Sequence, residues 1–246
     1  MFGRGITKSK GLKPETKLYR YMSLKQFMSF VENKRIYLTK VKNWEDTWEA
    51  PESSLPTMKD DGKVEYPSWN ITEVMHGMCW SLNKDSDAMW RIYSPNKDGL
   101  LIETSVQKFD LLQEVEFGFL APVIYYENLL EALNDMISNR DYKRPFSMAY
   151  LKRKAFEHEK EVRLVTVNEE ILINPPKKVN GFINYNLDPI AFIENIIIDP
   201  RADEWYVEMI KKYCQRLNLI EPSKSTLYSG VFEQSQLVMK FIPVEN

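Results

Sequence analysis

The period of apolar positions changes several times along this 246-residue chain. Residues 18–22, LYRYM, have the length and β-rich composition of a short strand. Ser23 and Gln26 then offer a capping-box start, and Leu24, Phe27, Met28 and Val31 recur at helical spacing, which predicts a helix over 23–34 with one buried stripe. Strand character returns at 35–39. From 40 to 70 the periodicity fails, and Pro51, Pro56, Pro67 and the run KDDGK predict a long surface excursion, a length at which loops are often lids or binding loops. Within it Trp44 and Trp48 alternate with Glu45, Asp46 and Glu49, either as one helical turn docking its aromatics or as a pocket wall carrying carboxylates. Further strands are predicted over 76–82, 99–105, 119–126, 161–167, 182–186, 195–199 and 237–242. Helices are predicted over 85–94, 127–140, 147–159 and 202–219, the last with Tyr206, Ile210, Tyr213 and Leu217 on one stripe.

No internal repeat, low-complexity tract or linker divides this pattern, so it predicts one α+β domain over 17–246 with a mixed, mainly antiparallel sheet flanked by helices. Residues 1–16 combine Gly3, Gly5, Gly11 and Pro14 with scattered lysines, the composition of a flexible basic arm. Hydrophobic residues make up 43% of the chain and aromatics 13%, enough for a substantial core. With 33 basic and 35 acidic residues the net charge is -2, which excludes a global field for nucleic acid or an anionic membrane. Cys79 and Cys214 lie far apart in segments that read as regular structure, so they are expected as buried thiols and not as a disulfide. Neither an apolar leader nor a membrane-length apolar run occurs, and the expected location is the cytoplasm, with no membrane partner.

The chain holds no GxxxxGK or GxGxxG loop, which removes P-loop kinases and Rossmann dehydrogenases. His76 and His158 lack the spacing of a zinc site and neighbour no nucleophile elbow, so no metal is predicted. The informative stretch is EHEKEVRLV. If the strand begins near Glu159, then Glu159, Glu161 and Arg163 share one face, with the carboxylates about 7 Å apart. One could remain ionised beside a developing positive charge while the other receives a proton from an acceptor. The alternative is a structural cluster in which Arg163 and nearby lysines neutralise both acids. A nuclease with an acid two residues before its lysine finds His158 at that place before Lys160.

YRYMS, WEDTWE, CWSL, AMWRIYSPNKDGLLIE, FEHEKEVRLV and IENIIIDPRA, in this order over 18–230, resemble the bacterial family known as domain of unknown function 2971. Glu45-Asp46-Thr47-Trp48-Glu49 stands where that family usually has Asn-Asp-Pro-Phe-Glu. More distantly, Arg20 on the first strand, Ser81 on a middle strand and Glu159-x-Glu161 on a later one resemble ADP-ribosyltransferases. That resemblance implies an ADP-ribosyltransferase-like fold and NAD as substrate, with Glu161 supporting an oxocarbenium-like ribose and Glu159 orienting or deprotonating the acceptor. It further implies that Arg20 meets the dinucleotide's phosphates or ribose. Ser81 would hold the first strand and Glu161 in place, and Tyr21, Trp80 or Trp90 would stack on nicotinamide. The implied acceptor is protein, nucleic acid or water, and the implied setting is a bacterial toxin or phage-defence effector with an antitoxin as candidate partner. Two other readings stand beside it: a non-enzymatic module binding a ligand through the 44–49 loop, and a metal-dependent nuclease.

Overall fold

The computed structural model describes residues 4–44, 46, 57–58, 61–65, 72, 74–138, 147–167 and 180–229. In chain order the strands are β1 Gly5–Lys8, β2 Lys17–Met22, β3 Arg35–Lys40, β4 Thr57–Met58, β5 Val64–Glu65, β6 His76–Ser81, β7 Leu100–Ser105, β8 Phe117–Pro122, β9 Ile124–Tyr126, β10 Leu151–Arg153, β11 Glu161–Val167, β12 Phe182–Asn186, β13 Asn195–Ile198 and β14 Ser223–Lys224. The helices are α1 Leu24–Asn33, α2 Asp87–Tyr93, α3 Leu129–Ser138, α4 Pro189–Phe192 and α5 Glu204–Arg216. The main sheet runs β1-β8-β11-β6-β2-β7-β13-β14, with β3 pairing both β6 and β12. Only β1/β8 and β13/β14 are parallel in it, so the sheet is mixed and mainly antiparallel as expected.

α1 starts where the sequence signals it. The Ser23 hydroxyl accepts from Gln26 N at 3.3 Å, and the Gln26 side chain accepts from Ser23 N at 3.0 Å. Its buried residues are Phe27, Phe30 and Val31, while Met28, expected on the stripe, is exposed. Two expectations fail. Gly5–Lys8, predicted as part of a mobile arm, forms an edge strand along β8, where Ile6 packs close to Gly118 and joins the core. The helix predicted over 147–159 is a 3₁₀ turn, the short strand β10 and a second 3₁₀ turn over Lys154–Glu159. Pairing of Leu151, Lys152 and Arg153 with Ile124, Tyr125 and Tyr126 of β9 decides this against local periodicity. The strand expected over 237–242 lies outside the described residues.

Strand alternation sorts the core onto two faces. One face carries Leu18, Met78, Trp80, Val162 and Leu164 and is covered by α1, α4 and α5 through Phe27, Phe192 and Tyr206. The other holds two separate clusters. One contains Phe119, Tyr150 and Val165, the other Tyr19, Tyr21, Met89 and Trp90. On the strip between them β6 and β11 present Gly77, Cys79, Ser81, Glu161 and Arg163, so the apolar layer is interrupted there by polar groups.

Candidate functional site

A fork in the sheet coincides with that strip. β2 meets β6 at one position, Tyr19 opposite Ser81, and β3 meets β6 at Thr39 opposite Gly77 and Lys40 opposite His76. Between these points Met78, Cys79 and Trp80 have no ladder partner on that edge among the described residues. A cavity of about 250 Å³ lies there, lined from β2 by Arg20 and Tyr21, from β3 by Tyr37 and Thr39, and from β6 and the start of β11 by Ser81 and Glu161. Glu159, Trp44, Cys79 and Tyr93 complete its wall. The fork lets Arg20 and the oppositely directed Tyr21 both reach one space.

Six of the seven expected site residues therefore converge: Arg20, Tyr21, Trp80, Ser81, Glu159 and Glu161. Trp90 does not. It is fully buried behind Tyr21, edge-on at 4.9 Å, with its indole donating to Asp85 at 2.5 Å. Trp80 lines the cavity from within the core, edge-on to Phe109 and Phe192, which leaves little of its face for a ligand. Tyr21 is stacked beneath Tyr93 with ring centres 6.2 Å apart, so Tyr93 extends the aromatic wall. The Ser81 hydroxyl is fully engaged: it donates to the Glu159 carbonyl at 2.6 Å and accepts from Asn83 N at 2.9 Å. It clips the end of β6 to the entrance of β11.

The acid wall is an ion network. Glu161 Oε1 accepts from Arg163 Nε at 3.0 Å, and Glu161 Oε2 from Arg163 Nη2 at 2.9 Å and Lys152 Nζ at 3.0 Å. Lys152 Nζ also donates to Glu159 Oε2 at 2.7 Å. Arg163 is wholly buried, gives Nη1 to the Ala149 carbonyl at 2.6 Å and lies 4.3 Å from the Trp44 ring centre. Burial alone would push the Glu161 carboxyl up. The charge and hydrogen bonds of Arg163, followed by Lys152 and the Cys79 thiol, override it and bring the pKa to about 2. Two acids and two bases thus balance, and the cluster alternative raised from sequence describes Glu161 well. The expected strand parity holds for Glu161 and Arg163. Glu159 reaches the same side by the 3₁₀ turn and the left-handed Lys160 (φ 45°) instead of by alternation.

The opposite wall differs. Arg20 makes no hydrogen bond to any described residue, and its Nη1 is sealed from solvent without a partner. Its guanidinium lies 5.9 Å from the Trp80 ring centre. Burial, which disfavours the charged form, lowers its pKa, and Cys79 and Tyr93 offset this in part. Arg20, Gln26, Tyr37 and Thr39 also line a second cavity of about 460 Å³, whose remaining charged lining is Lys25 and Arg35, with no carboxylate.

Sequence reasoning missed Lys152, Tyr93 and Tyr125. The Tyr125 hydroxyl accepts from Glu161 N at 2.8 Å and pins the first residue of β11; burial pushes its pKa up to about 12. Of the aromatic-acidic loop, Trp44 is a wall of the cavity. Its indole donates to Thr39 Oγ1 at 3.1 Å, and its ring sits so close to Gly77 that a Cβ there would lie 2.7 Å from it. Asp46 accepts from Arg153 at 2.9 Å. Glu45, Trp48 and Glu49 lie outside the described residues. His76 Nε2 meets the Asn180 carbonyl at 2.9 Å, and among the described residues no group of three or more His, Cys, Asp or Glu could hold a metal. Among them too, no helix is long and apolar enough to cross a membrane.

Residues 89–164 match the family described as "Protein of unknown function (DUF2971)", a span that includes β7 and the Glu159-Lys160-Glu161 run. Among curated proteins none matches the sequence. Among solved structures, the chain is similar to Thermus sp. 2.9 DarT in complex with carba-NAD+, at 12% identity and a TM-score of 0.38, covering 86% of this chain and 95% of that one. It is similar to the same protein in complex with NAD+, at 12% identity, a TM-score of 0.39 and 87% and 96% coverage. With ADP-ribosylated ssDNA the corresponding values are 13%, 0.39, 88% and 96%.

Proposed function

We propose that the protein is an NAD-dependent ADP-ribosyltransferase that breaks the bond between nicotinamide and ribose in the cavity at the sheet fork. The observation that carries this reading is the meeting of Arg20, Ser81, Glu159 and Glu161, far apart in sequence, around one space. Cleavage of a glycosidic bond passes through a sugar with oxocarbenium character, which a fixed carboxylate stabilises. The bonding pair leaves with nicotinamide, and an acceptor then bonds to the anomeric carbon and gives up its proton. A guanidinium without a partner suits the diphosphate, since its planar fork matches phosphate oxygens. The second cavity, which shares Arg20, Gln26, Tyr37 and Thr39 with the first, offers room for the rest of a dinucleotide beside Lys25 and Arg35. Tyr21 and Tyr93 offer aromatic surface near the departing ring. The acceptor is protein, nucleic acid or water, and the biological role is that of a toxin or phage-defence effector in the bacterial cytoplasm, held in check by an antitoxin.

A second reading is favoured by one observation. Glu161 is saturated by Arg163, Lys152 and Cys79 without any ligand, as in a binding module that performs no chemistry. Incubation with NAD and chromatographic measurement of free nicotinamide separates the two. Turnover supports the enzyme, whereas saturable NAD binding without nicotinamide release supports the binding module.

A further inference from the structure

We infer that Glu159, and not Glu161, is the carboxylate that touches the substrate, and that Lys152 is the positioning residue that aims it. This rests on the reading of the cavity as a site of NAD cleavage and assigns the work within it. Both oxygens of Glu161 are taken by Arg163 and Lys152. Glu159 is different: Oε2 receives Lys152 at 2.7 Å, while Oε1 has no hydrogen-bond partner among the described residues. Nor is Oε1 sealed away, because Arg20 Nη1 is the only partnerless buried side-chain polar atom among those residues. A carboxylate oxygen with free lone pairs on a cavity wall is an open acceptor; Glu161 Oε2, which holds two cations, is not, and Oε1 is tied to Arg163 Nε.

The scaffold behind Glu159 is built for one orientation. Its carbonyl is clipped by Ser81, the next residue is left-handed at φ 45°, and Lys152 is buried with Nζ 5.0 Å from the Phe156 ring centre. Lys152 Nζ touches both acids, so Glu161 and Arg163 act through it as an anchor. In the reaction the carbon–nitrogen bond breaks with its pair going to nicotinamide. Glu159 Oε1 accepts a hydrogen bond from a ribose hydroxyl beside the growing positive charge, and then takes the proton of the acceptor as its nucleophilic atom bonds to the anomeric carbon. Glu159 Oε2 stays on Lys152 throughout.

The test compares nicotinamide release, NAD affinity by calorimetry and thermal unfolding for the wild type, Glu159→Gln, Glu161→Gln, Lys152→Met and Lys152→Arg. Glu159→Gln should lower kcat at least a hundredfold, with affinity within threefold and Tm nearly unchanged. Lys152→Met should lower kcat at least tenfold at similar KM, and Lys152→Arg should recover most of that loss, a rescue that a purely structural role would not separate from Tm. A wild type that binds NAD without releasing nicotinamide overturns the enzymatic reading and this assignment with it. Turnover that survives Glu159→Gln but is abolished in a normally folded Glu161→Gln overturns the assignment alone.

Discussion

Glu161 and Arg20 face one cavity from opposite walls, yet the first is enclosed by two cations and a thiol while the second meets no described hydrogen-bond partner. The two walls were folded under different constraints. On the acid wall four charges alternate and cancel, so burial of Arg163 is tolerable and the network is complete by itself. On the basic wall one guanidinium nitrogen, Arg20 Nη1, is sealed from water without a hydrogen-bond acceptor while the group lies 5.9 Å from the Trp80 ring centre, an arrangement that costs stability. Paired charges here make structure, and the unpaired one is where the proposed reading puts the diphosphate of NAD.

That contrast can be attacked first at Glu161. Replacing it with Leu leaves Arg163 buried without its carboxylate, and should destabilise the fold by about 3–5 kcal/mol, read from denaturant unfolding. Acid acts on the same contact. The Glu161 carboxyl ionises near 2 in the folded protein against an ordinary 4.5. Its stabilising contribution is therefore fully present above pH 4.5 and is lost as pH falls from there toward 2, because the unfolded chain binds the proton first. The loss should be on the order of 3 kcal/mol and should be absent from a Glu161→Gln variant followed over the same range. Gly77→Ala probes the packing of Trp44 on Arg163: the new methyl collides with the indole, and a cost of about 1–3 kcal/mol in thermal unfolding should accompany a partial change in the near-ultraviolet tryptophan signal.

The sequence made some of this plain and hid the rest for physical reasons. The strands bearing Arg20, Ser81 and Glu161 announce themselves by composition and alternation, and the Ser23–Gln26 capping box is a local signal that the structure repeats atom for atom. Lys152 could not be found that way. It sits in a segment whose apolar spacing reads as helix, and its strand exists only because β9 pairs with it. Strand parity points to Glu159 for the wrong reason, since it reaches the cavity through a turn closed by Lys160 and Ser81. Trp90 matched the expected chemistry but was claimed by the packing behind Tyr21. The fork between β2 and β3, which creates the cavity, depends on where three distant strands part company.

The smallest expected change in stability gives the most direct test. Arg20→Met should leave unfolding unchanged or raise stability by about 1 kcal/mol, since it removes a half-buried charged group whose Nη1 is sealed without a partner. In the same preparation NAD should bind the wild type and raise its Tm, while the variant should lose ten- to a hundredfold in affinity, the equivalent of about 1.4–2.8 kcal/mol. An Arg20→Met protein that binds NAD as tightly as the wild type, or that unfolds several degrees earlier without ligand, would show that the guanidinium serves the fold and that the basic wall awaits nothing.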